Sequence, residues 1–186
     1  MLRMIDQIRF EKFSSLIKMK TGKLLDIGCK DGSFANYIPK LDYYGIDVDE
    51  KSLKEAREVG LKVIKQDLDE GLPFPKNFFD YVIAGEIIEH LINPENLVKE
   101  AKRVLKDNGV FIGSTPNAFS WRRRLEVLFG FLRYEPTTTE HIRFFNLSSL
   151  KKLLNRHFDK VTITTFTPIK VWKSLLATSF IWKCKK

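Results

Sequence analysis

The stretch LLDIGCKDGSF, residues 24–34, decides the fold class and the location of the functional site. In it an apolar run ends at an acid, Asp26, and two glycines follow, Gly28 and Gly32, with Lys30 between them. A structural turn needs one glycine at most, and glycine lets a backbone turn tightly or approach another group closely. Two glycines and an acid at the end of a strand therefore indicate that the backbone makes room for a ligand.

Short β-type runs and helical stretches alternate after this motif. Strands are predicted at 23–28, 43–49, 62–67, 79–85 and 110–116, with helices at 33–40 (capped by Ser33), 50–60 and 94–109. A helix at 148–158 and strands at 160–166 and 179–184 resume the pattern. Right-handed crossovers of this length give a parallel sheet covered by helices on both faces. We therefore predict an α/β fold, a Rossmann-like, doubly wound, mostly parallel seven-stranded sheet.

Composition limits the class of protein. The 186 residues fit one domain over 1–186, with an N-terminal helix within 1–21 and an insertion at 117–145. No apolar run approaches the roughly 18 residues that span a bilayer, and the N-terminus lacks the apolar core of a signal peptide. We therefore expect a cytoplasmic protein without a transmembrane segment.

Charge and residue usage add two further expectations. The net charge of +9 implies affinity for anions such as RNA, lipid headgroups or phosphorylated substrates. The two cysteines form neither a zinc pattern nor a disulfide framework. Only two glutamines stand among many lysines, glutamates and isoleucines, which is typical of a thermophile.

Acids end the first three predicted strands, at Asp26, Asp47 and Asp67. In an open parallel sheet, ligands bind beyond the carboxyl ends of the strands. An acid at Asp47, nineteen residues after Gly28, can accept two hydrogen bonds from a ribose diol. Asp67 is well placed for an exocyclic amine such as that of adenine. The three acids together favour a ligand with a ribose, an amine and a positive centre.

Two cofactors fit such an edge, and the residues favour one of them. A dinucleotide site requires G-x-G-x-x-G, but Lys30 and Ser33 break that pattern, and Asp26 would repel a pyrophosphate. S-adenosylmethionine has no phosphate, carries an ammonium that Asp26 can orient, and has a sulfonium that acids tolerate. We therefore expect S-adenosylmethionine.

Four segments resemble the successive motifs of the class I S-adenosylmethionine-dependent methyltransferases, and of ubiquinone-type O-methyltransferases in particular. They are LLDIGCKDGSF, GIDVDE, IKQDLDEGLPFPKNFFDYVIAGEIIEHL and RVLKDNGVFIGSTPN, and the later EHIRFFNLSSLKKLL is similar to the same group. The resemblance implies a cofactor site formed by Asp26, Gly28, Cys29, Lys30, Gly32, Asp47, Val48, Asp67, Leu68 and Glu86. Asp26 and the two glycines would line the methionine end, Asp47 the ribose, and Val48, Asp67 and Leu68 the adenine.

Lys30 departs from the family pattern, which usually has glycine there. Either the side chain crowds the turn and weakens cofactor binding, or its ammonium pairs with the carboxylate of the cofactor. We prefer pairing because the neighbouring glycines remain.

A second group of polar residues lies in GEIIEHL, residues 85–91. If a helix begins there, Glu86, Glu89 and His90 share one face, and His141 can add a fourth ligand for Mg or Mn. The pattern resembles that of small-RNA 3′-end 2′-O-methyltransferases and of ubiquinone-type phenol O-methyltransferases. The alternatives are a metal-free general base at His90 or His141, or a structural set in which Glu86 faces the cofactor, Glu89 is solvated and His90 bonds a loop.

The insertion at 117–145 is aromatic and basic. Its apolar residues are interleaved with Arg122, Arg123 and Arg124, and they are Phe119, Trp121, Leu125, Leu128, Phe129, Phe131 and Leu132. It is interpreted as a lid over an apolar or aromatic acceptor, as a membrane-surface helix that recruits a lipid-like acceptor, or as a helix packed on the core. Trp172 and 175–181 would extend the same surface, or form a helix and strand at the sheet edge.

The sequence therefore predicts a methyltransferase that acts on a small-molecule acceptor, at oxygen. One alternative is an RNA 2′-O-methyltransferase with a divalent metal. The other is a non-catalytic, cofactor-binding partner subunit in which Lys30 marks decay of the site.

Overall fold

A computed structural model describes residues 4–19, 21–130, 141–166 and 178–186. The helices are α1 (Met4–Leu16), α2 (Glu50–Glu58), α3 (Pro94–Val104), α4 (Trp121–Leu128) and α5 (Leu147–Asn155). The strands are β1 (Lys23–Ile27), β2 (Asp42–Asp47), β3 (Lys62–Lys65), β4 (Phe79–Gly85), β5 (Leu105–Pro116), β6 (Lys160–Phe166) and β7 (Ser179–Lys185).

These strands form one sheet in the order β3-β2-β1-β4-β5-β7-β6. Strands β1 to β5 run parallel, and β7 lies antiparallel between β5 and β6. The chain order reverses between β1 and β4, where an open α/β sheet binds its ligands. The predicted mostly parallel, seven-stranded Rossmann-like fold is confirmed.

Each face of the sheet buries its own apolar cluster. Leu25 and Ile27 of β1 pack on the face that also carries Trp182 of β7. Leu24 and Tyr43 pack on the opposite face with Phe13 of α1. Since side chains alternate along a strand, Asp26 shares the α1 side of β1 with Leu24.

Two predicted element boundaries are wrong. The segment after β1 is a 3₁₀ helix, Ser33–Tyr37, whose cap residue is Gly32 and not Ser33. The side chain of Asp31 instead accepts hydrogen bonds from the backbone and hydroxyl of Ser33.

The α3–β5 boundary lies earlier than predicted. Helix α3 ends at Val104, because Leu105 is already extended and pairs with Phe79. The turn signal in 106–109 lies inside β5, where Asn108 takes a positive φ of 66° and the pairing with β4 shifts register. Asn tolerates that left-handed conformation, so the turn is absorbed as an irregularity of the strand.

None of the helices in the described part of the chain has the length and apolar character needed to cross a bilayer.

Candidate functional site

The turn after β1 has three left-handed residues within five. Gly28 and Gly32 both have φ 73°, and Lys30 has φ 49°. Because a left-handed conformation costs a non-glycine residue about 1–2 kcal/mol, the glycine that the resemblance implies at position 30 would relieve this strain. The Lys30 side chain is exposed and leaves the turn free. Pairing of its ammonium with a cofactor carboxylate stays a prediction.

The fold of the protein itself favours the two glycines, since both have a φ of 73° and a close apolar neighbour. A Cβ on Gly28 would overlap Ile87, and a Cβ on Gly32 would overlap Leu61. The space that these glycines leave is therefore filled by apolar side chains. The approach of a ligand to these two glycines stays a prediction.

Hydrogen bonds join this turn to the end of β2. The backbone N–H groups of Gly28 and Cys29 both donate to the carbonyl of Ile46, at 2.8 and 3.0 Å. The N–H of Lys30 donates to Oδ2 of Asp47 at 2.8 Å. The thiol of Cys29 is buried against β2, and burial raises its pKa, so it is a protonated packing group. The turn thereby holds Asp47 at the carboxyl edge.

Asp26 is buried at the end of β1, with 6% of its surface exposed. Its Oδ2 accepts a hydrogen bond from the hydroxyl of Tyr43 at 2.7 Å. Burial raises the pKa of Asp26 to about 7, against the lowering effects of the Tyr43 hydrogen bond and the Arg9 charge. An adjacent cation such as an ammonium would favour the ionised carboxylate.

Arg9 of α1 is a candidate site residue that sequence reasoning missed. Its charge lowers the pKa values of Asp26, Glu86 and Glu89, so Arg9 interacts electrostatically with all three acids. One guanidinium nitrogen donates to Asp6 at 2.8 Å. Its buried Nε has no hydrogen-bond partner among the described residues. Arg9 lies one turn before the buried Phe13 on the same helix face. A charged arginine on the apolar face of α1 was the sequence pattern that could have indicated a role for Arg9.

The residues expected at the adenosine lie open to solvent. Val48 is 58% exposed, and Asp47 is partly exposed, with Oδ1 accepting from the N–H of Asp49 at 2.9 Å. Asp67 is exposed and caps the 3₁₀ turn that begins at Leu68. These residues follow β2 and β3, at the same edge of the sheet as Asp26.

Glu86 lies outside the helix that the sequence predicted for GEIIEHL. The only helical residues there are Ile88–His90, a 3₁₀ turn, and Glu86 precedes it with a φ of 58°. Its Oε1 accepts a hydrogen bond from the Ser114 hydroxyl at 2.7 Å, and burial raises its pKa. The prediction that Glu86, Glu89 and His90 share one helix face is therefore wrong, because the left-handed conformation of Glu86 interrupts any helix.

Three of the four predicted metal ligands nevertheless come together. Each of Glu89, His90 and His141 offers one ligand atom, and these atoms lie within 4.8 Å of one another. The rings of His90 and His141 have centroids 4.6 Å apart. Glu86 is not part of this group, which corrects the predicted ligand set.

Glu89 is the most buried member of this group, with 1% of its surface exposed, so the solvated alternative is wrong. Its Oε2 accepts from the Thr115 hydroxyl at 3.0 Å, while Oε1 is buried and has no hydrogen-bond partner among the described residues. Burial and the charge of Glu86 raise its pKa to about 8. An unpartnered carboxylate oxygen beside two imidazoles fits a divalent cation.

The base of the insertion is tied to the same place. The N–H groups of Ile142 and Arg143 donate to the carbonyl of Glu89 at 3.0 and 2.9 Å. Asn117 and Phe145 form a bridge that closes the segment between them. These bonds bring His141 beside Glu89.

The described part of the insertion exposes apolar side chains. Of the fourteen large apolar side chains exposed in the described residues, seven belong to the insertion: Phe119, Trp121, Leu125, Leu128, Phe129, Ile142 and Phe144. Helix α4 is therefore not simply packed on the core by its apolar face. Phe131, Leu132, Trp172 and 175–177 lie outside the described residues.

Comparison with known proteins decides the family. The profile of a family described as "Methyltransferase domain" matches residues 5–158. The chain belongs to the class I S-adenosylmethionine-dependent methyltransferases. The predicted family is confirmed, and the family implies S-adenosylmethionine as cofactor.

Individual relatives agree with this assignment. A probable S-adenosylmethionine-dependent methyltransferase of Mycolicibacterium smegmatis is 31% identical over 137 residues, covering 70% of this chain and 49% of the relative. A ubiquinone biosynthesis O-methyltransferase of Pelagibacter ubique is 32% identical over 115 residues, covering 58% and 48%. The chain thus spans about half the length of these two methyltransferases.

Solved methyltransferases share the fold. A Thermotoga maritima S-adenosylmethionine-dependent methyltransferase superposes with a TM-score of 0.76 and 21% identity, covering 95% of this chain and 87% of the other. A methyltransferase from Archaeoglobus fulgidus superposes with a TM-score of 0.76 and 19% identity, covering 98% of this chain and 93% of the other.

Proposed function

We propose that this methyltransferase transfers the methyl group of S-adenosylmethionine to an oxygen of a small, apolar acceptor. One observation carries the proposal: the buried Oε1 of Glu89, without a partner among the described residues, lies beside His90 and His141 at the base of an apolar insertion. Such a group suits a polar hydroxyl at the end of an apolar molecule. The likeness to a ubiquinone biosynthesis O-methyltransferase supports oxygen as the methylated atom.

The carboxyl edge of the sheet is suited to the cofactor. Asp26 would hold the ammonium, Arg9 and Lys30 the carboxylate, and Asp47 the ribose hydroxyls, while Val48, Asp67, Leu68 and Glu86 border the rest of the site. When bound, S-adenosylmethionine supplies a methyl group on a positively charged sulfur. The residues contribute orientation of the two reactants, which can account for much of the rate of a direct displacement.

His90 and His141 have two possible roles toward the acceptor. In the first, one imidazole accepts the hydroxyl proton as a general base. In the second, Glu89, His90 and His141 hold Mg or Mn, which lowers the pKa of a bound hydroxyl. The unpartnered Oε1 of Glu89 favours the second role, because a cation beside it would offset the burial that raises the pKa of Glu89 and would favour the carboxylate that binds metal.

A methyl-transfer assay tests the proposal. Labelled S-adenosylmethionine is incubated with apolar phenols and catechols, with and without MnCl₂ or EDTA. We expect methylation of a hydroxyl, loss of activity in EDTA and its recovery with Mn. Glu89→Gln is expected to lower kcat at least tenfold, whereas Glu95→Gln, which removes a surface partner of Arg156, is the matched control.

Two results would contradict parts of the proposal. If the activity resists EDTA but is abolished by His90→Asn or His141→Asn, the histidine acts as a general base and the metal role is ruled out. Tight RNA binding that falls steeply with salt, together with RNA methylation, would replace the small acceptor.

The exposed apolar side chains also support a lipid-like acceptor taken from a membrane surface. Exposed Leu128 and Phe129 accompany the exposed, basic Arg124 and Arg143, a combination that binds anionic lipid. Co-sedimentation with phosphatidylglycerol vesicles, but not with phosphatidylcholine vesicles, is expected. Phe129→Ser should weaken it, and Val59→Ser, which alters an equally exposed apolar residue on the α2 side, should not.

A further inference from the structure

Tyr43 and Asp26 form a buried pair across the first two strands of the sheet. Leu24 stands opposite Tyr43 in the β1–β2 register, and Asp26 stands opposite Gly45. Tyr43 and Asp26 are therefore diagonal neighbours on one face, within reach of a long side chain. The side-chain position that Gly45 lacks is taken by the thiol of Cys29, since a Cβ there would lie 2.6 Å from Sγ.

The diagonal brings the hydroxyl of Tyr43 to Oδ2 of Asp26, at 2.7 Å, with 7% and 6% of the two residues exposed. Burial raises the pKa of Tyr43, so its phenol stays protonated and can only donate to a carboxylate. A buried donor aimed at one carboxylate oxygen fixes the rotation of the whole group.

We propose that Tyr43 is a positioning residue of the cofactor site, which holds Oδ2 of Asp26 so that the other oxygen, Oδ1, faces the ammonium of S-adenosylmethionine. The inference rests on the proposed role of Asp26 toward that ammonium. Tyr43 itself lies four residues before Asp47, the last residue of β2, and acts on the cofactor only through Asp26.

The hydrogen bond has a second consequence, for the charge of Asp26. Burial favours the neutral acid, while the Tyr43 hydroxyl and the Arg9 guanidinium favour the carboxylate. The charges of Asp47 and Asp31 raise the pKa further, and the Cys29 thiol is itself protonated. Loss of the hydroxyl shifts the balance toward the neutral acid, which pairs poorly with an ammonium.

The chain contains a matched control in the next residue. Tyr44 faces the other side of β2 and also donates its hydroxyl to an aspartate, Asp42, at 3.1 Å. Asp42 is the first residue of β2, whereas Asp26 lies near the carboxyl end of β1. Tyr43→Phe and Tyr44→Phe each remove one phenol hydroxyl from one aspartate.

The test is calorimetric binding of S-adenosylhomocysteine, which keeps the ammonium, and of methylthioadenosine, which lacks it, between pH 6 and 8.5. In Tyr43→Phe we expect the affinity for S-adenosylhomocysteine at pH 7 to fall about tenfold, as for one lost hydrogen bond to a charged group. The affinity should recover toward pH 8.5. Affinity for methylthioadenosine should be unchanged. Tyr44→Phe should match the wild type with both ligands.

Two outcomes would overturn the inference, and they are distinguishable. Equal losses for both ligands, or an unshifted pH profile in Tyr43→Phe, would show that Tyr43 only supports the fold. Wild-type protein that binds methylthioadenosine as tightly as S-adenosylhomocysteine at every pH would remove the role of Asp26 toward the ammonium, and the inference with it.

Discussion

Replacing Asp26 by Asn is expected to stabilise the ligand-free protein while weakening its hold on the cofactor. Burial raises the pKa of Asp26 from 3.8 to about 7. A carboxyl whose pKa is raised by folding contributes its full stability below the unfolded value and loses it as pH rises toward the folded value. The wild-type protein should therefore lose stability between about pH 4 and pH 7 through this group.

The magnitude follows from the two pKa values. Each factor of ten in the ionisation equilibrium is worth about 1.4 kcal/mol, so the cost of charging Asp26 reaches about 4 kcal/mol at pH 7.5 and about 1.6 kcal/mol at pH 5. Asn carries no charge, and its amide oxygen can still accept from Tyr43. The stability gap between Asp26→Asn and wild type should thus widen by about 2–3 kcal/mol over this range.

Urea unfolding of the ligand-free proteins at pH 5 and pH 7.5 measures the gap. Asp42→Asn is the control with the opposite sign, because the hydrogen bond from Lys62 lowers the pKa of Asp42. That variant should lose stability relative to wild type by a similar amount at pH 7.5 and pH 5, because the contribution of a lowered pKa is lost only below the unfolded value of 3.8. The difference in free energy of unfolding between Asp26→Asn and wild type should grow as pH rises. If it stays constant or shrinks, Asp26 is not a buried acid with a raised pKa.

Other predictions concern the turn, the sheet and the helix beside the site. Gly113→Ala should cost 3 kcal/mol or more, on the order of strong overpacking, because its Cβ would overlap Trp182. Gly60→Ala, where the added Cβ meets nothing within 4 Å but φ is 82°, should cost only about 1–2 kcal/mol in urea unfolding. Lys30→Gly should change the free energy of unfolding by less than about 1 kcal/mol, since relief of left-handed strain offsets the entropy cost of glycine. The same substitution should weaken the binding of S-adenosylhomocysteine, and the loss should depend on salt concentration. Arg9→Gln should weaken the binding of S-adenosylhomocysteine in calorimetry and leave methylthioadenosine binding unchanged. An equal loss of affinity for both ligands would contradict the role of Arg9 toward the cofactor carboxylate.

Local patterns allowed the sheet and the acids at its edge to be predicted. Strands β1 to β5 are short apolar runs between turn residues, and the carboxyl ends of parallel strands necessarily share an edge. Asp26, Asp47 and Asp67 could therefore be placed without knowing any contact. The α3–β5 boundary could not, because Asn108 and its neighbours form a turn signal that the pairing of β5 with β4 overrides.

The missed features depend on tertiary packing. The role of Arg9 arises because α1 lies over the ends of β1 and β4, which no local pattern specifies. Glu86 adopts its left-handed conformation while its side chain bonds Ser114 of β5. The backbone carbonyl of Glu89 accepts hydrogen bonds from Ile142 and Arg143, more than fifty residues later in the chain.

A crystal structure with S-adenosylhomocysteine would examine the cofactor site most directly. We predict the amine of the ligand within hydrogen-bond distance of Asp26, and both ribose hydroxyls on Asp47. An adenosine bound elsewhere, or a ligand whose amine and ribose contact neither acid, would contradict the account.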